Sequence, residues 1–122
     1  MAVPGRIAGV AFLKNNGVQY ALRGGLEIQP LLFTKEGVAG QDGVHGYKEM
    51  PVVPHIKAEV TPTGISIKAI EAITNATITA ECADGRTYVL RNAWHKGEAS
   101  YDAAEGKVTF TFEGLDCREI AA

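Results

Sequence analysis

The chain has 122 residues, of which 46% are hydrophobic and 21% are charged, a balance that suits one globular domain with its own core. The formal net charge of −2 excludes the strongly basic surface of a protein that grips nucleic acid. No apolar run reaches the roughly 18 residues of a membrane span. The N-terminal residues show no cationic leader followed by an apolar run, so we expect a protein that folds in the cytosol.

The first predicted elements are two strands joined by a turn. Residues 6–14 are β-prone, residues 15–17 (Asn-Asn-Gly) have the composition of a turn, and residues 18–23 form the return strand. The Gly24-Gly25 pair is expected to end this hairpin. A third strand then begins within residues 26–33, where apolar and polar side chains alternate before an apolar run.

Residues 34–50 stand out because four glycines recur at intervals of three with few large apolar residues between them. An irregular segment of about 17 residues is long for a compact domain and is usually functional or disordered. Two interpretations are open: a mobile surface loop, or a long Gly-rich assembly loop that becomes ordered against a neighbouring copy of the chain. In the second interpretation the inter-subunit residues are Val38, Gly40, Asp42, Val44 and Tyr47.

A clean alternation of apolar and polar side chains predicts a strand over residues 55–61. Isoleucines then recur at a spacing of three from Ile67 to Ile73, and Ser66 is suited to cap the N-terminus of a short helix. A helix this short is unstable in water by itself, so its isoleucine stripe is expected to lie on a sheet.

Three more strands are predicted in the last third of the chain. Residues 76–82 and 87–90 flank an Asp84-Gly85 turn, and residues 107–113 form the clearest strand, whereas residues 95–106 read as a polar loop. The total is about seven strands and one short helix within a single domain. We therefore expect a mostly β, α+β fold: an antiparallel β-sandwich or a partly open barrel capped by the helix.

The sequence offers no pattern that is typical of an active site or a metal centre. Its two cysteines and three histidines lack the short paired spacings of zinc sites. Neither a Gly-x-Ser-x-Gly elbow nor a phosphate-binding or dinucleotide-binding glycine motif is present. We therefore predict a structural protein with no catalytic residues, metal or cofactor. Cys82 and Cys117 are expected to be reduced and structural.

The order and spacing of several motifs resemble those of a known family. The stretch GISIKAIEAITNATITAECADGRTYVLRNAW (64–94), with VAGQDGVHGYKEMP (38–51) and GVAFLKNNG (9–17), is similar to the tail tube protein of Mu-like contractile-tailed phages. The resemblance covers residues 9–117, which is nearly the whole chain. A prophage remnant or a headless tail-like particle would use the same part.

The resemblance implies a homohexameric ring that stacks into a hollow tube within a contractile sheath. It implies partners as well: further copies of the chain, and sheath, tape-measure and tail-completion proteins. DNA passes through such a tube without specific binding, the chain does not enter a membrane, and the location is a virion tail assembled in the bacterial cytoplasm. The tube of type VI secretion has a related architecture and is an alternative identity.

Two alternating strands flank residues 34–50, and their polar faces need water. Our hypothesis is that these faces line the lumen of the tube, through Glu27, Gln29, Lys57, Glu59 and Thr61. A neutral or acidic lumen suits a polyanion that must slide. The rival from another class is a monomeric ligand-binding or enzymatic β-barrel, which predicts a pocket of converging polar groups under a lid.

Overall fold

The computed structural model describes residues 11–121, and strands dominate this part of the chain. Its elements are β1 (Phe12–Asn15), β2 (Val18–Gln29), β3 (Phe33–Gly40), β4 (Gly43–Pro51), β5 (His55–Thr61), α1 (Ile67–Glu71), β6 (Ala76–Glu81), β7 (Thr87–Asp102), β8 (Lys107–Glu113) and β9 (Asp116–Ile120). The prediction of a mostly β chain with one short helix is confirmed, although the described residues form nine strands where about seven were predicted. Residues 6–10 of the first predicted strand lie outside the described residues.

Six of the strands close into an antiparallel barrel. They follow the order β6-β1-β2-β5-β8-β7, and β7 pairs back onto β6. The predicted architecture is thus confirmed in part: these strands form a closed barrel where a sandwich or a partly open barrel was predicted. Alternation along a strand defines its two faces but does not show which strands pair with it. The sequence therefore left the choice between a sandwich and a barrel open.

The inside of the barrel is an apolar core. Its fully buried side chains include Leu13, Ile56, Val60, Ile78, Leu90, Val108, Phe110 and Phe112. The Phe110 ring lies edge-on to Tyr20 and Phe112, with ring centroids 5.7 Å and 5.1 Å apart. Aromatic pairs in this arrangement add to the stabilisation from buried area. The inward faces predicted for residues 55–61 and 107–113 are confirmed.

Helix α1 packs against β7 and buries Ile70. The Ser66 hydroxyl oxygen accepts a hydrogen bond from the amide of Ala69 at 3.4 Å, so the predicted N-cap is confirmed. The predicted Asn-Gly turn is confirmed too, because Asn16 and Gly17 both have positive φ, at 49° and 87°. The Asp84-Gly85 turn is closed by the Asp84 carboxylate, which accepts the Arg86 amide at 3.0 Å.

The Gly24-Gly25 pair does not end a strand, as the sequence had suggested. Strand β2 continues through it, and the three residues between Leu22 and Leu26 stand opposite the single residue Glu59 of β5. The extra residues form a bulge within the β2–β5 ladder. Glycine is common at such bulges because, without a Cβ atom, its backbone can adopt the irregular angles that a bulge requires.

Residues 33–51 fold as a β-hairpin, so the prediction of an irregular loop over residues 34–50 is wrong. Strands β3 and β4 pair from Phe33–Pro51 to Gly40–Gly43, and this sheet is separate from the barrel. Gly43 and Gly46 adopt φ of +131° and +144°, which permits the turn and a bulge beside it. Glycine is depleted from strands in general, and its spacing therefore concealed the hairpin.

The predicted polar loop over residues 95–106 is also wrong in its first part. Strand β7 is 16 residues long and runs to Asp102, where a tight turn leads into β8. The carbonyl oxygen of Asp102 accepts the Gly106 amide at 2.8 Å, and its carboxylate accepts the amides of Ala104 and Glu105. The outer part of β7 is polar because both its faces are largely solvent-exposed, while its pairing with β8 supplies the strand geometry.

Near the C-terminus, strand β9 extends the barrel wall. Strand β9 pairs with the first half of β7, and β8 pairs with the second half. The two ladders share one register, which runs from the Trp94–Glu113 pair to the Thr87–Ile120 pair. Gly114 joins the two strands, and its amide donates to the carbonyl oxygen of Pro54 at 3.2 Å. A Cβ atom on Gly114 would lie 2.8 Å from the carbonyl oxygen of Arg91, which is closer than real contacts.

We predict that Gly114→Ala destabilises the fold by roughly 1–3 kcal/mol, because the methyl group forces β8 and β9 away from β7. Denaturant unfolding measures the change. Gly37→Ala is the matched control, since a Cβ there meets nothing within 4 Å, and it should alter the free energy of unfolding by less than about 1 kcal/mol. Equal effects of the two substitutions would contradict this role of Gly114.

Candidate functional site

The outer face of β2, β5, β8 and β7 forms one continuous polar surface, which we call the polar wall. Core residues alternate with polar ones along β5, so Lys57 and Glu59 face away from Ile56, Ala58 and Val60. All five residues predicted for the lumen lie on this wall: Glu27, Gln29, Lys57, Glu59 and Thr61. Their grouping on one face agrees with the hypothesis, and their position in a lumen stays a prediction.

Strand β8 contributes as much to the polar wall as the two strands that the sequence singled out. Thr111 lies opposite Lys57 and Thr109 opposite Glu59, with Lys107 and Glu113 at the two ends of β8. On the far side of β8, Lys96 of β7 lies opposite Thr111. The alternation of β8 was visible in the sequence, but nothing there indicated that β8 neighbours β5.

The charges of the polar wall come in opposite pairs on neighbouring strands. Lys107 Nζ lies 3.9 Å from Glu59 Oε1, and Lys96 Nζ lies 3.8 Å from Glu113 Oε2. Glu27 stands directly opposite Lys57 in the β2–β5 ladder.

The far end of the wall, near the β7–β8 turn, carries charges of both signs. The Arg23 guanidinium donates to the carbonyl oxygens of Glu105 and Gly106 at 2.6 Å and 3.1 Å, and Asp102 lies opposite Lys107. Arg23 and Asp102 add one charge of each sign to the three carboxylates and three ammonium groups of the central wall, and the exposed Glu98 of β7 and Glu105 of the turn add two carboxylates. The wall is thus polar and has no excess of positive charge.

The β3–β4 hairpin, Phe33–Pro51, forms an exposed arm. Apart from Thr34, every residue of the arm is exposed, and the side chains of Val44 and Tyr47 have relative exposures of 86% and 62%. The arm carries all five residues predicted for inter-subunit contact: Val38, Gly40, Asp42, Val44 and Tyr47. Whether they contact another subunit stays a prediction.

Contacts within the arm join its own two strands. Lys35 Nζ lies 5.0 Å above the Tyr47 ring, and Lys48 Nζ lies 3.5 Å from Glu36 Oε2. Near the tip, His45 Nε2 and Asp42 Oδ1 share a hydrogen bond of 2.6 Å. Such exposed pairs contribute little to stability, so the arm is held in place weakly by the single chain.

A cleft of about 350 Å³ lies between α1 and the β1–β2 hairpin. Ile65, Ile70 and Ile73 line much of it. Of its three polar side chains, Ser66 caps α1 and Asn15 Nδ2 donates to the Tyr20 hydroxyl oxygen at 2.8 Å, while Asn15 Oδ1 is buried without a hydrogen-bond partner among the described residues. The cleft thus offers one unpaired side-chain acceptor, fewer than the several converging polar groups that the rival ligand-binding hypothesis requires.

Within residues 11–121 no three histidine, cysteine or acidic side chains gather at a spacing that would hold a metal ion. In the same residues, no helix has both the length and the hydropathy needed to cross a bilayer.

Residues 5–119 match the family model of the phage tail tube protein. The chain belongs to the phage tail tube protein family. It is 31% identical over 98 residues to the tail tube protein of Escherichia phage Mu, which covers 80% of this chain and 82% of that one. The resemblance to the Mu-like family, inferred from the sequence, is confirmed.

Solved structures of other proteins show the same fold. Hcp1 from Flavobacterium johnsoniae superposes with a TM-score of 0.63 at 12% identity, over 93% of this chain and 97% of that one. A chain of the PVC sheath–tube complex of an extracellular contractile injection system, in its extended state, gives a TM-score of 0.60 at 14% identity, over 98% and 95%. At these identities the likeness concerns the fold alone.

Both cysteines are free, and their surroundings raise the pKa of both thiols. Burial, and to a lesser extent the charges of Asp116 and Glu119, raises the pKa of the Cys117 thiol to about 11. Burial and the nearby Asp84 also raise the pKa of Cys82. Because only the thiolate is a good nucleophile, these shifts suit structural residues of a tail tube subunit.

We predict that iodoacetamide at pH 8 modifies folded Cys117 about 100-fold more slowly than the unfolded chain, because its pKa lies about two units above 9.0. Mass spectrometry of timed samples measures the rate, and half-exposed Cys82 serves as the faster internal reference. The raised pKa also means that Cys117 stabilises the fold below pH 9 and loses this contribution as the pH rises towards 11. Rapid modification of folded Cys117 at pH 8 would contradict this assignment.

Proposed function

We propose that this chain forms hexameric rings that stack into a hollow tube for the passage of DNA. The polar wall faces the channel, and the arm contacts neighbouring subunits. The observation that carries the proposal is the arm itself, a two-stranded hairpin that stands apart from the barrel sheet and exposes apolar side chains. Membership of the phage tail tube family supports the tubular assembly.

The arm is poorly supported within one subunit. An isolated two-stranded hairpin is marginally stable in water. Val44 and Tyr47 expose most of their surface, and burying a side chain of this size is worth roughly 1.5–3 kcal/mol. A second copy of the chain would supply that burial at every arm of a ring or stack.

Apolar residues also surround the base of the arm. Leu31, Leu32, Phe33 and Val53 are between 43% and 58% exposed, and the Val52 amide bonds to the Leu32 carbonyl oxygen at 2.8 Å, which joins the two sides of this base. An apolar patch of this kind favours contact with another protein surface. The arm and its base therefore form the surface that we assign to inter-subunit contact.

The polar wall has the properties that a DNA channel needs. A polyanion slides over a surface only when that surface does not neutralise its phosphates, and the paired charges of the wall leave no excess of lysine. In a ring of six, every wall charge recurs six times, so an imbalance of one lysine per subunit would become large. Glu27, Gln29, Lys57, Glu59 and Thr61 are the channel-facing residues on this proposal.

The wider context follows from the same assembly. The subunit is a structural part without catalytic activity, and its partners are sheath, tape-measure and tail-completion proteins of a virion or headless tail assembled in the bacterial cytoplasm. A secretion tube would share the fold. The 31% identity to the phage Mu protein favours a phage-type tail.

We expect concentrated purified protein to form rings or tubes without any ligand, because the inter-subunit surfaces are present in the chain itself. Size-exclusion chromatography and negative-stain electron microscopy measure this. A protein that stays monomeric at high concentration, and that binds a small molecule in the α1 cleft, would support the rival ligand-binding hypothesis instead.

We predict that Val44→Ser/Tyr47→Ser prevents tube formation, or raises the protein concentration that it requires by about tenfold or more, because each ring loses apolar contacts at six arms. Light scattering and negative-stain microscopy measure polymerisation. Val18→Ser is the matched control, since Val18 is 63% exposed but lies at the β1–β2 turn.

Both variants are expected to stay folded, because the replaced side chains are exposed and contribute little to the core. Circular dichroism and denaturant unfolding check this. Normal polymerisation of the arm variant, or of a chain that lacks residues 38–46, would show that the arm is not an inter-subunit element.

A further inference from the structure

Each lysine in the centre of the polar wall has a carboxylate as its cross-strand partner. We propose that Glu59 and Glu113 mask Lys107 and Lys96, and that this masking is what prevents the tube wall from binding DNA phosphates. The inference rests on the proposed function, because it requires the polar wall to face the channel.

The two pairs tie three neighbouring strands together. Glu59 of β5 reaches Lys107 of β8 at 3.9 Å, and Glu113 of β8 reaches Lys96 of β7 at 3.8 Å. The Glu113 side chain is 19% exposed and the Lys96 side chain 60% exposed, so the carboxylate lies at the wall surface beneath the ammonium group. From that position the carboxylate lowers the local potential while the lysine remains accessible to solvent.

Stability does not account for these pairs. Ion pairs between exposed side chains contribute about 0–1 kcal/mol, and both pairs are longer than a strong hydrogen bond. Their electrostatic effect matters more than their effect on stability, because each carboxylate neutralises a lysine that could otherwise bind a phosphate.

An unmasked lysine would change how the wall meets DNA. Each lysine that neutralises a phosphate releases a condensed counterion, which raises affinity at low salt and makes binding fall steeply as salt is added. The charge of Lys57 is balanced by Glu27, which stands directly opposite it in the β2–β5 ladder. Removing the carboxylates of Glu59 and Glu113 would therefore leave Lys107 and Lys96 without their partners and make this part of the wall more positive by two charges per subunit.

The test uses tubes assembled from the full chain, with a short fluorescent single-stranded DNA oligonucleotide as the probe. The variant is Glu59→Gln/Glu113→Gln. One control, Glu71→Gln/Glu81→Gln, removes the same net charge elsewhere. Glu71 is exposed on α1, and Glu81 of β6 pairs with Lys14 of β1 at 3.2 Å. A second control, Glu59→Gln/Lys107→Gln, removes both members of one wall pair.

Binding is measured by sedimenting the tubes with the oligonucleotide at increasing salt. The wall variant is expected to bind about tenfold or more tightly than the unmodified tube at low salt, with a steeper loss of binding as salt increases. Both controls are expected to bind as weakly as the unmodified tube. Each single variant, Glu59→Gln or Glu113→Gln, should give part of the gain, which provides the readout if the double variant does not assemble.

Tubes of the wall variants that bind no more DNA than the unmodified tube would overturn the masking inference alone. Equal gains in the wall variant and the Glu71→Gln/Glu81→Gln control would also overturn it, because overall charge would then explain the effect. An unmodified chain that forms no tubes would instead overturn the proposed function, and the masking inference with it.

Discussion

Closure of the barrel is the constraint on which the rest of the structure depends. Once β7 pairs back onto β6, each barrel residue faces either a filled apolar interior or the outside. The interior takes Phe110, Phe112 and their neighbours, and the same alternation places lysine and glutamate outside on β5, β7 and β8. A polar wall without an excess of positive charge is therefore built by the same strands that build the core.

The arm differs from the barrel in what holds it. Barrel strands gain stability from a shared core, whereas the two strands of the arm meet only solvent on most of their surface. Elements with few buried contacts occupy the low end of local stability, where binding can order them. A barrel that is stable by itself, with a weakly held arm, suits a subunit that folds alone and whose arm becomes ordered when it binds another subunit.

Much of this arrangement could be predicted from local sequence patterns. The faces of residues 55–61 and 107–113, the Ser66 cap and the two turns follow from alternation and side-chain chemistry, and all are confirmed. The five lumen candidates fall on one face because they belong to two strands that pair with each other.

The remaining features depend on contacts between distant segments. Strand order put Lys96, Lys107 and Glu113 beside the predicted wall residues, and alternation along one strand carries no information about its neighbours. The glycines of the arm and the polar residues of β7 have low strand propensity, but pairing overrode that preference. The Gly24-Gly25 pair was absorbed as a bulge for the same reason.

The most direct test of the account is a cryo-electron microscopy map of the assembled tube at side-chain resolution. The account predicts rings of six subunits in which Lys57 and Glu59 face the channel and Val44 and Tyr47 are buried against neighbouring subunits. A map with Lys57 and Glu59 on the outer surface of the tube, or with the arm free in solvent, would contradict it.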